Sequence, residues 1–205
     1  AAMGLRNQWP IADGIRANTT LERVNPVIGS EQNEATAVTG AIEYTRNPNW
    51  KGTARLELRD ATANNSLLNT FGYARKISRD WTFLGRSIVY LVDSETPSGH
   101  DTVQARFQAG MAWRQTQTDR WNALLKYEFK IEDGVAFTSS MLDRKVNILS
   151  LHANYQPDAP WQISGHYAGK VAFEDLSGSR DVYSAHLLAF RVTYDITKRF
   201  DIGIN

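Results

Sequence analysis

Trp121-Asn122-Ala123-Leu124-Leu125-Lys126-Tyr127-Glu128-Phe129-Lys130-Ile131 is the stretch that decides the fold. Trp121, Ala123, Leu125, Tyr127, Phe129 and Ile131 share one parity, and Asn122, Leu124, Lys126, Glu128 and Lys130 share the other. A period of two is the signature of a strand with unlike faces; a helix would repeat every 3.6 residues. The segment upstream repeats the pattern, with Val103, Ala105, Phe107, Ala109, Met111 and Trp113 against Gln104, Arg106, Gln108 and Arg114. Both runs pass ten residues, where strands of soluble proteins average about five or six. A tilted strand needs about 9–11 residues to cross a hydrocarbon layer.

Working outward, the tryptophan recurs. Trp9, Trp50, Trp81, Trp121 and Trp161, continued by Phe200, follow one another at intervals of 41, 31, 40, 40 and 39 residues. From Trp50 onward each follows a short polar turn, such as Arg46-Asn47-Pro48-Asn49 or Thr116-Gln117-Thr118-Asp119-Arg120. A second aromatic precedes each of those turns: Tyr44, Tyr73, Trp113, Tyr155 and Tyr194. A period near 40 residues marks an internal repeat, and each period holds two long strands. Strands are expected near 14–25, 35–45, 50–59, 66–75, 81–93, 101–115, 121–131, 145–156, 161–174 and 181–195, with partial strands near 1–8 and 200–205. The opposite connections, Asn25–Glu34, Asp60–Asn65, Asp93–Asp101, Glu132–Arg144 and Glu174–Asp181, carry the Gly, Ser, Asn and Asp of loops. No linker divides the chain, so residues 1–205 read as a single domain.

In a meander every second turn lies at the same end. The paired aromatics then form a girdle at a lipid–water boundary, where an apolar ring with a polar edge is favoured. Short turns of such barrels face the periplasm, so the girdle is assigned to that side. The other face gathers Lys51, Arg55, Glu57, Arg59, Arg86, Arg106, Lys126, Glu128, Lys130, His152, His166 and Lys170. Buried dry, those charges would be costly; a wet lumen removes most of the cost. Trp113 opposite Trp121 would pair Arg106 with Glu128, and Tyr44 opposite Trp50 would pair Glu43 with Lys51. Tyr155 near Trp161 would make His152 and His166 diagonal neighbours.

The totals exclude several classes. Lys and Arg number 23 against 22 Asp and Glu, with no run of like charge, so a nucleic-acid partner is not expected. There is no cysteine, hence no disulfide and no thiolate metal site. No apolar run reaches 18 residues, and alternation accounts for the negative mean hydropathy. Ala1-Ala2-Met3-Gly4 has no leader character.

The stretches SRDWTFLGRSIVYLVD (78–93), TDRWNALLKYEFKIED (118–133) and RKVNILSLHANYQPDAPWQISGHYAGK (144–170) resemble barrel regions of Gram-negative outer-membrane proteins. They are similar in particular to the C-terminal barrel of large surface proteins with long N-terminal repeats. The resemblance covers nearly the whole chain and implies an antiparallel up-and-down transmembrane β-barrel in the bacterial outer membrane, with lipid as its first partner. Such barrels usually finish on a strand with a terminal aromatic, whereas Ile202-Gly203-Ile204-Asn205 stops partway into one. The chain is therefore expected to be a fragment of a larger barrel, completed by other domains or chains.

The expected function is a passive pore, or the membrane anchor and conduit of a larger surface protein, and not an enzyme. The basic lumen residues favour anionic solutes, with Glu43, Glu57 and Glu128 as a counterweight. Two alternatives stand beside it. One is an outer-membrane hydrolase of lipase or protease type using His152 or His166 with Ser150 or Ser164, although no carboxylate is in place to orient either ring. The other is a structural or adhesive barrel that binds a partner through its loops. No metal or cofactor is expected. The two histidines lack a third ligand, and neither Ser94-Glu95 with Asp101 nor Glu132-Asp133 has calcium-loop spacing. Gly165-His166-Tyr167-Ala168-Gly169 is not a phosphate loop, because no helix follows it.

Overall fold

The computed structural model describes residues 2–25, 34–96, 99–137, 140–176, 178–197 and 200–204. Most of the Asn25–Glu34 connection, Lys198 and Arg199 of the last turn, and Asn205 lie outside them. Twelve strands follow in chain order: β1 (Ala2–Ala12), β2 (Ile15–Val24), β3 (Ala35–Tyr44), β4 (Trp50–Ala61), β5 (Asn64–Lys76), β6 (Trp81–Ser94), β7 (Thr102–Arg114), β8 (Trp121–Phe137), β9 (Ser140–Tyr155), β10 (Trp161–Leu176), β11 (Ser179–Thr197) and β12 (Phe200–Ile204). They form one sheet in which each strand pairs, antiparallel, with its neighbours in sequence. β1 and β12 are its two edges, and among the described residues they do not meet.

Three features differ from the sequence reading. The N-terminal strand is not partial: β1 runs eleven residues and turns at Asp13-Gly14. Asp-Gly suits a two-residue hairpin in which the glycine supplies the positive φ and Asp13 keeps an ordinary backbone conformation. Gly14 has φ 75°, and a Cβ there would strike Arg46. Trp9 therefore precedes a turn, as Tyr44 does, instead of following one.

Second, the stretches 132–144 and 174–181 are mostly strand. β8 and β9 continue as a hairpin through a bulge between Glu132 and Val135. Gly134, at φ 67°, takes the extra residue; a Cβ there would collide with the Asp101 carbonyl.

Third, the registers across the short turns are offset by two residues. Trp113 lies opposite Ala123, Tyr44 opposite Gly52 and Tyr155 opposite Ile163. Arg106 faces Lys130, Glu43 faces Thr53, and His152 faces His166 directly. An even offset leaves every side chain on its face, so alternation cannot detect it. Staggering of this kind accompanies the tilt of barrel strands.

No ordinary core exists. The buried side chains among the described residues are small or polar: Ala35, Val146, Ala172, Glu128, Ser150 and Thr193. Large apolar side chains are instead exposed, as Leu188 at 82% and Leu5 at 75% show. In water this would be an unsupportable apolar surface; against lipid it is the expected one.

Candidate lumen surface and membrane belt

The registers connect all twelve strands, so parity assigns each residue to a face. Lys51, Arg55, Glu57, Arg86, Arg106, Lys126, Glu128, Lys130, His152, His166 and Lys170 lie on one face. Trp9, Tyr44, Trp50, Tyr73, Trp81, Trp113, Trp121, Tyr155, Trp161, Tyr194 and Phe200 lie on the other, toward the short-turn end.

The aromatic belt is continuous in pieces. Tyr44 stacks on Trp50 and Trp121 on Tyr155, each with ring centroids 4.1 Å apart. Trp81 meets Trp113 at 6.3 Å, and Trp161 meets Tyr194 at 4.7 Å. The first pair is diagonal across a short turn; the other three are directly opposed across the far hairpins. Trp121 and Ile131 lie ten residues apart. At about 3.3 Å per residue and a tilt of about 40° they bracket about 25 Å, the height of a lipid-facing band.

Polar atoms inside that band are tied off. The Tyr127 hydroxyl donates to Asn147 Oδ1 at 2.6 Å, and Tyr167 Oη is hydrogen-bonded to His186 Nδ1 at 2.9 Å. Lipid offers no replacement partner, so these tyrosines remove a penalty that Asn147 and His186 would otherwise carry.

On the opposite face Glu128 is a hub, only 6% exposed. Gln108 Nε2 donates to it at 2.6 Å. Arg106 approaches at 3.4 Å, and Lys126 and Lys130 at 3.5 Å each. One carboxylate thus serves three cations, leaving a local positive excess. The expected Arg106–Glu128 contact exists, but as a diagonal pair. Across the sheet, Arg55 reaches Glu57 at 2.6 Å.

A second network joins four strands; Lys170 and Tyr183 fall on expected strands, whereas Glu132, Arg144 and Glu174 bound the expected loops, which hides it from the sequence. Arg144 pairs with Glu132 and, at 3.4 Å, with Glu174. Tyr183 donates to Glu174 at 2.7 Å, and Lys170 Nζ donates to Tyr183 at 3.2 Å while lying 4.8 Å from its ring centroid. Two carboxylates here balance two cations. The lumen face is also less uniformly polar than expected, since Leu68, Ile88, Tyr90 and Val92 on β5 and β6 share it. Nothing in the parity of β7 or β8 signals that patch.

His152 and His166 stack face to face, with centroids 3.8 Å apart and planes 13° from parallel. Ser150 Oγ nearby is buried and without a hydrogen-bond partner. At the short-turn rim, neighbouring turns are tied by Arg46–Asp13 at 3.1 Å and by the Thr116 hydroxyl and N–H donating to Asp80. Those two bonds hold the Asp80 carboxyl below the usual carboxylate range. Arg114 grips Asp119 with two hydrogen bonds of 2.6 Å and lowers its pKa as well.

This is the fold of an outer-membrane β-barrel wall: apolar and aromatic outside, charged within. No family model matches the chain, and no curated protein sequence is similar to it. Among solved structures it is similar to the alcaligin outer-membrane receptor FauA from Bordetella pertussis, with a TM-score of 0.67 and 12% identity over 96% of this chain and 39% of that one. It is also similar to the ferric yersiniabactin uptake receptor FyuA from Yersinia pestis, with a TM-score of 0.55 and 12% identity over 96% of this chain and 42% of that one. The chain thus spans about two fifths of the length of these neighbours. The shared feature is the fold of bacterial outer-membrane barrels, and the lipid-facing belt belongs in that membrane.

Proposed function

We propose that the chain is a wall segment of an outer-membrane uptake barrel, a passive conduit whose lumen face guides small anionic solutes. The observation that carries this reading is the Glu128 cluster, in which Arg106, Lys126 and Lys130 share one carboxylate. Rings of basic side chains favour anions in pores. The structural neighbours are receptors, for alcaligin and for ferric yersiniabactin uptake, which supports a solute-handling role over a purely adhesive one. The open edges support a larger assembly. Unpaired strand edges are forbidden in lipid, so further strands pair with β1 and β12, from the same polypeptide or from partners.

Conductance across planar bilayers tests this. The full-length protein should give stable steps with a reversal potential on the anion-selective side in a salt gradient. Cation preference would refute the basic lumen, and silence from inserted protein would replace the conduit with an anchor.

A hydrolytic reading needs an imidazole within reach of a serine hydroxyl. Stacked rings direct their nitrogens sideways, and no hydrogen bond from either ring to Ser150 or Ser164 is seen among the described residues. Lipase and protease assays are expected to be negative before and after His166→Ala.

A further inference from the structure

We propose that the groove at the short-turn rim between the β3–β4 and β5–β6 turns binds the headgroup phosphate of an anionic glycerophospholipid through Arg75, Lys76 and Arg79. The groove has a volume of about 670 Å³ and is lined by these three cations with Asn49, Trp50 and Tyr73. Its position is that of a lipid headgroup. Trp50 lies opposite Arg75 on the lipid face, and the Trp50 and Tyr73 rings are 6.3 Å apart within the aromatic belt. Arg75 therefore sits where the hydrocarbon ends, with Lys76, of the opposite parity at the end of β5, and Arg79, in the turn, beside it.

Their charge is not tied up in a close ion pair, although the Asp80 carboxylate attracts Arg79 and Lys76 at longer range. At neighbouring turns Arg46 is paired with Asp13 and Arg114 with Asp119. Among the described residues no carboxylate lies within ion-pair distance of Arg75, Lys76 or Arg79. The carboxylate of that turn, Asp80, is held by Thr116 across the gap to the next turn. Three cations in five residues, beside an acid that Thr116 holds, make a concentrated positive feature of this rim.

The turn is preformed. The N–H groups of Ile77 and Ser78 donate to the Trp81 carbonyl at 2.9 and 3.2 Å. Ser78 Oγ accepts from the N–H groups of Asp80 and Trp81 at 3.3 and 3.2 Å. The Lys76 N–H donates to the Asn49 carbonyl at 2.6 Å, which fixes one turn against the other. Most backbone donors of the turn are thus engaged, and the side-chain cations remain to meet a ligand. A guanidinium fork matches phosphate geometry, and basic residues near a membrane surface each add to attraction for anionic lipid. The short turns, assigned to the periplasmic side, face the leaflet that supplies a glycerophospholipid.

Native mass spectrometry of the purified full-length protein, released from micelles doped with phosphatidylglycerol or phosphatidylcholine, tests the site. Phosphatidylglycerol should be retained over phosphatidylcholine by about tenfold or more. The triple variant Arg75→Gln, Lys76→Gln, Arg79→Gln should lose that preference while its circular dichroism stays that of the wild type. A control losing equal charge on the lumen face, Arg6→Gln, Lys51→Gln, Arg86→Gln, should keep it. Equal retention by the triple variant, or loss in the control, would overturn the proposal. Displacement of the lipid by inorganic phosphate alone would make this a free-anion site, and stronger retention of lipopolysaccharide would place the rim on the wrong leaflet; either result rejects the assignment.

Discussion

Strand β8 has two surfaces that obey opposite rules. On one, Leu125 and Tyr127 are each 45% exposed with nothing packed over them. On the other, Glu128 is nearly buried, surrounded by Gln108, Arg106, Lys126 and Lys130. A soluble sheet would bury the leucine and expose the carboxylate. The inversion teaches that the two faces meet different solvents. Lipid covers the apolar face, so no protein layer is needed there. The opposite face is charged, and crowded enough to organise itself.

Breaking the lipid face should have the largest effect. Leu125→Arg puts a charge into the hydrocarbon band and should lower folding stability in bilayers by about 2–4 kcal/mol. Thr70→Arg, on the lumen face, should change it far less. Urea titrations of refolding into vesicles compare the two, and equal losses would erase the distinction between the faces.

Altering the lumen face should act on selectivity more than on stability. Glu128→Gln removes the anion shared by three cations. Anion preference should rise, and stability should fall by about 1–2 kcal/mol as those cations lose their partner. Reversal potentials and urea midpoints on the same preparation would measure both. A finer cut is the double-mutant cycle of Arg106→Ala with Glu128→Ala. A coupling of about 0.5–1 kcal/mol is expected for this diagonal, half-exposed pair. Additive effects would mean that Lys126 and Lys130 carry the whole compensation.

The smallest effect belongs to the rim, outside both faces. Thr116→Val removes the hydroxyl that holds Asp80 ionised, and its carboxyl should titrate nearer the ordinary value in NMR experiments. The sign follows from linkage. A carboxyl with a depressed folded pKa contributes stability above its unfolded pKa, and loses it as the pH falls through the folded value. Wild type should therefore lose more of this turn-to-turn tie on acidification than the variant, which keeps only the bond from the residue-116 N–H.

Much of this was legible in the sequence because one physical rule generates it. Alternation along β7 and β8 and the spaced tryptophans define faces, girdle and meander at once. The registers were not legible. Moving Trp113 from Trp121 to Ala123 preserves every face, and opposite charges such as Arg106 and Glu128 still touch when diagonal. The Arg144 network was missed because Asp133-Gly134 resembles a turn, whereas the chain uses Gly134 for a bulge and runs on as strand. β1 was cut short although Asp13-Gly14 carries a strong hairpin signal. The apolar lumen patch, mostly on β6, was obscured because β6 is apolar on both faces, which blurs the period.

The most direct test uses the absence of native cysteine. Single cysteines placed in turn from Leu125 to Lys130, in protein inserted into vesicles, would be challenged with a membrane-impermeant maleimide. The positions of Lys126 and Lys130 should react, that of the nearly buried Glu128 more slowly, and those of Leu125, Tyr127 and Phe129 should stay protected. Uniform reactivity, or reactivity in the opposite phase, would contradict a wall with lipid on one side and water on the other.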